Sequence, residues 1–386
     1  MNKFARLAIS ISIIAAILFG CGHKFKMNKD SLSEKSVWQF HRLDAQNTGQ
    51  IDGTFGGKLK VVWEQSTGTR PSGPLTLDKG LLVYPGSKKK IRVYDPRTGD
   101  FLGFIRTKGH TPTGLVIRDS LGYFVDGPRK VAIHCVNLLN RKTIWEHRVK
   151  DAVNGSIIVN NNLILSQTAG LVQAYDLVSG DEKWSFEAKE RLLVPAAFLD
   201  DRIYQTGDKG SVFIFNAESG ETISTLNLAG PFLGATVAAD FVYLVNMNGD
   251  IYAVDQATDS IVWQASVAGP VWSSPAIDQD KLFITSNAGE LTAFDSHTGA
   301  KLWQYDSNEV IKSSPSVIGK CVVFGTMYGN LLALNSADGT VLASREFSGA
   351  ISQSPVSDGR FIFVATDEGD LVCLGDSNEI TALDDK

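Results

Sequence analysis

A repeat of about forty residues runs through most of this chain and constrains its fold more than any other feature. A five-residue turn that opens with Asp or Asn recurs seven times, first as Asp95-Pro-Arg-Thr-Gly99 and last as Asn335-Ser-Ala-Asp-Gly339. The columns in phase with it are Ser-Pro at 274, 314 and 354, and Gly at 170, 210, 249, 289, 329 and 369. A fixed period of this length predicts one small structural unit that is stacked many times.

Each repeat has the residue pattern of short β-strands. In Lys281–Trp303, two apolar runs flank a Gly turn, and the Asp-x-x-Thr-Gly turn then leads into a third run that contains Trp303. Short strands separated by Gly, Asn and Asp turns roughly every eight to twelve residues indicate an all-β fold. Four strands in about forty residues are typical of a propeller blade.

The repeat arithmetic predicts eight blades. Residues 70 to 376 hold eight copies of the inner three strands, and the last copy ends at Leu374 without an outer Trp strand. That strand appears at the other end of the chain, at Leu59–Glu64. We therefore expect an N-terminal strand to complete the last blade and remove the open sheet edges. The alternative is seven blades with an additional hairpin.

The first residues of the chain predict export and a lipid anchor. Lys3 and Arg6 precede an apolar run at residues 7–20, which suits a signal peptide and is too short to span a bilayer. The run ends at Leu18-Phe19-Gly20-Cys21, which looks like a bacterial lipobox and implies lipidation of Cys21. The alternative is an ordinary export signal with an incidental cysteine.

The expected organisation has four parts. Residues 1–20 form the signal peptide, 21–37 a lipidated polar tether, 38–376 the propeller and 377–386 a polar tail. Gly22 follows the cysteine where many inner-membrane lipoproteins of Gram-negative bacteria have Asp, so this resemblance implies the periplasmic face of the outer membrane. The lipid, not the polypeptide, would hold the protein at the membrane.

Composition argues against several functions. The formal net charge is −5, which disfavours a nucleic-acid surface. The four cysteines include no CxxC pair, and the six histidines form no HExxH motif. Asp95, Asp176, Asp255 and Asp295 recur with the repeat, so they are turn-forming residues rather than metal ligands. We therefore expect no metal, no cofactor and no catalytic residues.

A column of tryptophans predicts packing between blades. Five of the eight outer strands carry Trp at the same place, namely Trp63, Trp145, Trp184, Trp263 and Trp303. A flat ring there can pack across the seam between two blades. A ligand platform is the alternative, but the regular spacing favours the structural role.

The blade consensus, with Ser-Pro, Gly-x-Leu-x-Ala-Phe-Asp-x-x-Thr-Gly and a following Trp, resembles the PQQ-like propeller repeat. The segment from Trp38 to Gly49 resembles the opening of many such proteins, and the resemblance covers residues 38 to 375. One branch of this family comprises the quinoprotein dehydrogenases, which are longer and often carry adjacent cysteines at the site. The other comprises the BamB-type lipoproteins of the outer-membrane β-barrel assembly machinery, which match in length, lipobox and blade number.

The resemblance to this second branch implies a non-catalytic scaffold. It would act as a monomer within a complex, contacting a BamA-like subunit of the machinery and unfolded outer-membrane clients. The stretch matching the known contact loop implies partner binding by Arg191, Leu192 and Leu193. Alternatively, the two leucines simply begin an inner strand, and the next connection, at 229–233, lacks the expected carboxylates. The other functions left open are a general protein- or ligand-binding envelope module and a PQQ-dependent dehydrogenase.

Overall fold

The computed structural model describes residues 24–34, 36–40, 42–127, 131–238 and 240–376. Within these residues the strands form eight sheets, and each sheet is one blade of a closed ring. The predicted all-β, eight-bladed propeller of PQQ-like repeats is therefore confirmed. The predicted signal peptide, Cys21 and the tail at 377–386 lie outside the described residues.

Blades 1 to 4 follow one another along the chain, each running from the inner to the outer strand. Blade 1 contains β4 (Thr76–Asp78), β5 (Leu81–Gly86), β6 (Lys90–Tyr94) and β7 (Phe101–Arg106). Blade 2 contains β8 (Val116–Arg118), β9 (Leu121–Asp126), β10 (Ala132–Asn137) and β11 (Lys142–Arg148). Blade 3 contains β12 (Val153–Val159), β13 (Asn162–Gln167), β14 (Leu171–Asp176) and β15 (Glu182–Glu187). Blade 4 contains β16 (Ala197–Leu199), β17 (Arg202–Thr206), β18 (Ser211–Asn216) and β19 (Thr222–Asn227).

Blades 5 to 8 complete the ring. Blade 5 contains β20 (Phe232–Ala238), β21 (Phe241–Asn246), β22 (Asp250–Asp255) and β23 (Ser260–Ser266). Blade 6 contains β24 (Ala276–Asp278), β25 (Lys281–Thr285), β26 (Glu290–Asp295) and β27 (Lys301–Asp306). Blade 7 contains β28 (Ser316–Ile318), β29 (Cys321–Gly325), β30 (Asn330–Asn335) and β31 (Val341–Glu346). Blade 8 contains β32 (Val356–Ser357), β33 (Ile362–Ala365), β34 (Asp370–Gly375) and, as its outer strand, β3 (Lys60–Ser66).

Three short elements precede the ring: a 3-10 turn (Asp30–Ser33), β1 (Ser36–Trp38) and β2 (Gln50–Ile51). Strand β1 pairs with β4 of blade 1, and β2 pairs in parallel with β28 of blade 7. Strand β3 pairs antiparallel with β34, with Trp63 opposite Cys373, so the two ends of the propeller meet in one sheet. Because β3 covers the outer edge of β34, the last blade has four strands although its outer strand comes from the start of the propeller.

The burial of the strands changes from the axis to the rim. The second strands are buried on both faces, as in β13, where all six residues are inaccessible. The outer strands alternate between exposed and covered positions, as in β27. A strand that is covered on both faces needs a continuous apolar run, whereas an outer strand needs only one apolar face. This difference explains why the sequence pattern is clearest in the outer strands.

Each seam tryptophan lies on a glycine of the next blade. The indole of Trp263 covers Gly299, where an added Cβ would lie 2.6 Å from the ring, and its Nε1 donates to the Ser296 carbonyl at 2.8 Å. The other pairs that share this geometry are Trp63 with Gly99, Trp145 with Gly180, Trp184 with Gly220 and Trp303 with Gly339. Glycine is required at this position for two reasons. The indole leaves no room for a side chain, and the backbone adopts a positive φ, which is +71° at Gly299.

Three seams lack this pair. After blade 4, Ser224 replaces Trp and donates to the carboxylate of Asp259, which occupies the Gly position. After blade 7, Ala343 replaces Trp, and Phe55 from the N-terminal part joins the apolar cluster there. After blade 1, Gly103 replaces Trp and Arg141 replaces Gly. In the seams after blades 1 and 4, where the indole is absent, its glycine is absent too.

The segment at residues 42–55 lies against the inner strands of the ring. Its carbonyls accept hydrogen bonds from the inner strands of four consecutive blades. The four pairs are Phe198 N to Ala45 O at 2.7 Å, Val237 N to Gln46 O at 2.9 Å, Ile277 N to Thr48 O at 3.0 Å and Val317 N to Gly49 O at 2.8 Å. These donors recur with the blade period, so one extended segment satisfies inner edges that would otherwise point into the channel.

Arg42 anchors this segment at the centre of the ring. It is 1% exposed, and its Nη2 donates to the carbonyls of Pro275 at 3.1 Å and Pro315 at 2.8 Å. Burial lowers the pKa of the guanidinium to about 9, against the opposing charge of Asp44. The Ser-Pro column of the repeat thus supplies carbonyls that hold the N-terminal segment.

The described part of the expected tether is docked rather than free. Phe25 and Met27 are 4% and 2% exposed, and both pack between blades 1 and 2. Their backbone N–H groups donate to the carbonyls of Phe104 at 2.8 Å and Leu138 at 2.9 Å. Apolar residues alternate with Lys24 and Lys26 here, so the segment binds as a short strand with one buried face. The polar composition of residues 22–36 concealed this alternation.

Candidate partner-binding rim

The ring has two different rims. The rim that carries the first-to-second-strand hairpins and the Asp-x-x-Thr-Gly turns is called the turn rim below. The opposite rim, which carries the second-to-third-strand turns and the connections between blades, is called the loop rim. The N-terminal part lies on the turn rim, where Glu34 pairs with Arg97 at 3.3 Å and its carbonyl accepts from the Lys79 ammonium at 3.0 Å. Among the residues that the structure describes, the N-terminal segment thus covers part of the turn rim and not the loop rim.

A cavity of about 260 Å³ opens at the centre of the loop rim. Its wall combines backbone and polar side chains, including Asn154 and Gln353, with Leu193 and Pro195. Beside it, serines link neighbouring blades: Ser274 N donates to the hydroxyl of the next serine in the column at 3.0 Å, and the following pair repeats this at 3.1 Å. These bonds fix the spacing of the inner strands and give the channel mouth a polar lining.

The three residues expected to bind a partner are placed differently from one another. Leu192 is completely buried, and its N–H lies 3.4 Å from the Thr168 carbonyl, so a partner could not reach it. Arg191 is exposed on the loop rim, with its N–H bonded to the Asp208 carboxylate at 3.0 Å. Leu193 is half-buried at the edge of the central cavity. Of the three residues, only Arg191 and Leu193 are therefore accessible from outside the fold.

Two aromatic residues on the same rim were missed by the sequence analysis. Trp272 is 53% exposed in the connection before blade 6, and Tyr328 is 68% exposed in the second turn of blade 7. The Lys312 ammonium lies 5.8 Å from the centre of the Trp272 ring. Trp272 lies nine residues after Trp263 and outside the packing column, and this irregularity was the available signal. Large exposed aromatics beside a cation are typical of interface anchors.

The five column tryptophans lie in the seams, packed beneath the turns of the next blade. All five donate Nε1 to a carbonyl of the next blade, at distances from 2.8 Å for Trp263 to 3.2 Å for Trp303. Four of them are at most 9% exposed. Their rings and donors are therefore engaged within the fold.

The described residues hold few groups suited to catalysis. No cluster of three or more His, Cys, Asp or Glu side chains in this part of the chain could hold a metal ion. Cys135, Cys321 and Cys373 are buried, unpaired thiols, and burial raises the pKa of Cys135 and of Cys321 to about 11. A thiol held protonated in this way is a poor nucleophile. Among the described residues, no helix is long and apolar enough to cross a bilayer.

A family model matches the C-terminal part of the propeller. Residues 208–381 match the model of a family described as outer membrane protein assembly factor BamB. This match spans blades 5 to 7, the three inner strands of blade 8 and part of blade 4. No curated protein matches the chain in sequence.

Solved structures of different function share the fold. BamB from Moraxella catarrhalis is 15% identical, with a TM-score of 0.71 over 83% of this chain and 100% of that one. The quinohemoprotein alcohol dehydrogenase from Comamonas testosteroni is 11% identical, with a TM-score of 0.76 over 90% of this chain and 82% of that one. The computationally designed protein Ika8 is 13% identical, with a TM-score of 0.72 over 83% and 100%. At these identities the likeness establishes the fold alone.

Proposed function

We propose that this eight-bladed propeller of PQQ-like repeats is a non-catalytic scaffold lipoprotein that assists the assembly of β-barrel proteins in the outer membrane. The observation that carries the proposal is the match of residues 208–381 to the BamB assembly-factor family. Its partner would be a BamA-like subunit, with unfolded barrel proteins as clients. A rigid ring with many loops suits such a role, because it presents several contacts in a fixed geometry.

The proposed anchor and organisation follow the sequence. Residues 1–20 would be removed as a signal peptide, and Cys21 would carry the lipid on the periplasmic face of the outer membrane. The propeller domain would extend to residue 376, with a polar tail after it. Mass spectrometry of the mature N-terminus tests this part directly, because an unprocessed or unacylated Cys21 would contradict it.

The loop rim is the proposed partner surface. The turn rim is occupied by the N-terminal segment, whereas the loop rim exposes Trp272, Tyr328 and Arg191. Aromatic and Arg side chains contribute most to protein interfaces, and truncating such an anchor costs about 2 kcal/mol or more, roughly thirtyfold in affinity. Leu193 at the edge of the central cavity would add apolar contact.

The experiment is a crosslinked pull-down of the full-length protein from native membranes, read by mass spectrometry. We expect recovery of the barrel-assembly subunit, and at least a tenfold loss with Trp272→Ala, Tyr328→Ala or Arg191→Ala. The matched controls are Val178→Ala, a 72% exposed apolar residue of the turn rim, and Arg97→Ala on the same rim. Recovery of a different envelope protein would overturn the assembly role, and equal losses in the controls would overturn the choice of rim.

A quinone-dependent dehydrogenase is the second candidate. The structural likeness to quinohemoprotein alcohol dehydrogenase favours it, because that likeness spans 90% of this chain. The purified protein, incubated with pyrroloquinoline quinone and Ca²⁺, would then reduce an artificial electron acceptor in the presence of a primary alcohol. Binding of the quinone with turnover would contradict the non-catalytic proposal.

A further inference from the structure

The seam between blades 1 and 2 contains a cavity of about 240 Å³ that extends from Leu138 and Arg141 beside the turn rim to Arg106 and Lys108 beside the loop rim. The indole and glycine that fill most seams are absent here, and Phe25 and Met27 of the N-terminal segment take part of the space. The remaining cavity is floored by Phe104, Phe124 and Leu138. A pocket of this size is large enough for a small charged group.

Basic side chains surround this cavity. They are Lys24, Arg106, Lys108 and Arg141. Lys108 is engaged, since its Nζ lies 2.5 Å from the Glu146 carboxylate. In the described part of the chain, no acidic side chain forms an ion pair with any of the other three. The rim of the cavity therefore holds three exposed cations without an anion.

The two carboxylates at the cavity are used internally. His134 lies between them, with Nε2 at 3.1 Å from Asp126 and Nδ1 at 3.4 Å from Glu146. The Asp126 carboxylate also accepts from the backbone N–H of Lys108 at 2.5 Å. Both acids thus face His134 and Lys108, and they leave the positive charge of Lys24, Arg106 and Arg141 uncompensated.

The equivalent seam after blade 4 shows that such a charge need not be left unpaired. There, Asp259 occupies the turn position that Arg141 occupies in blade 2. It accepts from Arg202 at 3.2 Å and from the Ser224 hydroxyl at 2.6 Å. The same fold position is neutralised in one seam and left cationic in the other, so the positive charge after blade 1 is a local property.

We propose that the cavity between blades 1 and 2 binds the phosphate group of an anionic phospholipid, so that this edge of the ring lies on the membrane. The orientation rests on the proposed lipid anchor. Cys21 is three residues from the docked Lys24, and three extended residues reach at most about 11 Å. An anchor at Cys21 would therefore hold this seam at the headgroup level.

Charge complementarity favours a lipid surface over a soluble partner. The protein carries a net charge of −5, so most of its surface is repelled by an anionic bilayer. One cationic cavity on such a molecule selects a single orientation. Each Lys or Arg close to an anionic membrane strengthens binding roughly fivefold, which predicts about a hundredfold for the three together.

The test uses the unacylated chain from residue 22 onward, which contains every residue that the structure describes. Its binding to phosphatidylcholine vesicles is compared with binding to vesicles containing phosphatidylglycerol. We expect binding that depends on phosphatidylglycerol and weakens about a hundredfold in Lys24→Gln/Arg106→Gln/Arg141→Gln. The matched control is Arg148→Gln/Lys150→Gln/Lys320→Gln, with three exposed cations elsewhere and an expected change below threefold.

Three results would overturn the proposal: binding that does not depend on phosphatidylglycerol, an equal loss in the control, or displacement by inorganic phosphate at constant ionic strength. The last would identify a free-phosphate site. Circular dichroism of each variant shows whether it has folded, and Arg141→Gln alone, with an expected fivefold loss, keeps the test decisive if the triple variant unfolds. The vesicle assay does not depend on acylation. A mature protein without acylated Cys21 would therefore refute the proposed anchor and leave the phospholipid site to be judged by the vesicle assay.

Discussion

At the scale of single residues, the propeller is held by pairs rather than by the tryptophans alone. Each seam indole needs a residue without a side chain beneath it and a backbone with positive φ at that point. Gly299 under Trp263 meets both conditions. Where Ser224 and Gly103 replace Trp, Asp259 and Arg141 replace Gly and still adopt φ of +53° and +63°. The turn therefore keeps its conformation, and the indole decides which residue fits it.

Replacing a seam glycine separates these two requirements. Gly299→Ala would place a Cβ 2.6 Å from Trp263, in addition to the strain of φ +71°, whereas Gly68→Ala meets φ +65° with no atom within 4 Å. We expect Gly68→Ala to cost about 1 kcal/mol and Gly299→Ala about 2 kcal/mol more, because the indole must move out of a packed seam. Urea unfolding of both variants measures the difference, and equal losses would show that the ring contact contributes nothing.

At the scale of elements, the N-terminal part has two separate roles. Residues 24–28 occupy part of the seam after blade 1, and residues 45–51 accept hydrogen bonds from the inner edges of blades 4 to 7. Both replace something that the repeat supplies elsewhere, namely an indole in the first case and a neighbouring strand in the second. The N-terminal part is therefore a component of the propeller.

Shortening the two buried side chains should release the first of these elements. Phe25→Ala/Met27→Ala removes most of the apolar surface that residues 24–28 bury. We therefore expect the free energy of local opening to be lower than in the native protein by about 3 kcal/mol or more. Hydrogen exchange at the N–H groups of these two positions would rise at least a hundredfold, while exchange in blade 6 stays unchanged. Val178→Ala, at an exposed site, is the control. Unchanged exchange in the double variant would refute the docking.

Acid should loosen the same seam. Burial acts to raise the pKa of Asp126, but hydrogen bonds from His134 and the Lys108 N–H outweigh it, so the pKa is lowered. The Lys108 hydrogen bond likewise lowers the pKa of Glu146. A carboxyl group whose pKa is lowered on folding stabilises the fold at pH values above its ordinary pKa of about 4. That contribution is lost as the pH falls through the lower pKa of the folded state.

We therefore expect protection of β9 and β10 against hydrogen exchange to fall below about pH 4. Asp126→Asn/Glu146→Gln should remove this step, because neither side chain then titrates. The matched variant is Asp208→Asn, a carboxylate on the loop rim that bonds Arg191. A step that persists in the double variant would assign the acid sensitivity to other groups.

The sequence predicted repeated structure well and single departures from it poorly. The strands, the turns and the place of Trp303 could be predicted because the same physical requirement recurs in every blade. Leu192 and Trp272 could not, since one apolar residue in a connection can face either the core or the solvent, and only the packed neighbours decide. The burial of Arg42 was equally hidden, because its carbonyl partners belong to blades 6 and 7 and lie more than two hundred residues away.

At the scale of the whole molecule, the ring is closed by contacts between the two ends of the chain. Strand β3 pairs with β34, and residues 45–51 bond to the inner strands of blades 4 to 7. These pairings span most of the chain, so closure loses far more loop entropy than pairing within a blade. Such long-range pairing forms slowly.

Folding kinetics should show this order. In refolding with pulsed hydrogen exchange, we expect the N–H groups of β25 and β26 to become protected first, because their pairing is local. Those of β3 and of Val317, which donates to Gly49, should become protected in the slowest phase. Simultaneous protection of blade 6 and β3 would show that the ring closes in one step.

The order in which the chain is made adds a consequence of this closure. Arg42 and strand β3 leave the ribosome early, but their partners in blades 6, 7 and 8 are made last. Until those blades are complete, the leading residues have nothing to bind, and the ring cannot form around a partial sequence. A polypeptide arranged in this way cannot close its ring while it is being translated, so it can still pass through a narrow translocation pore. It becomes too wide for such a pore only after its last blade has emerged.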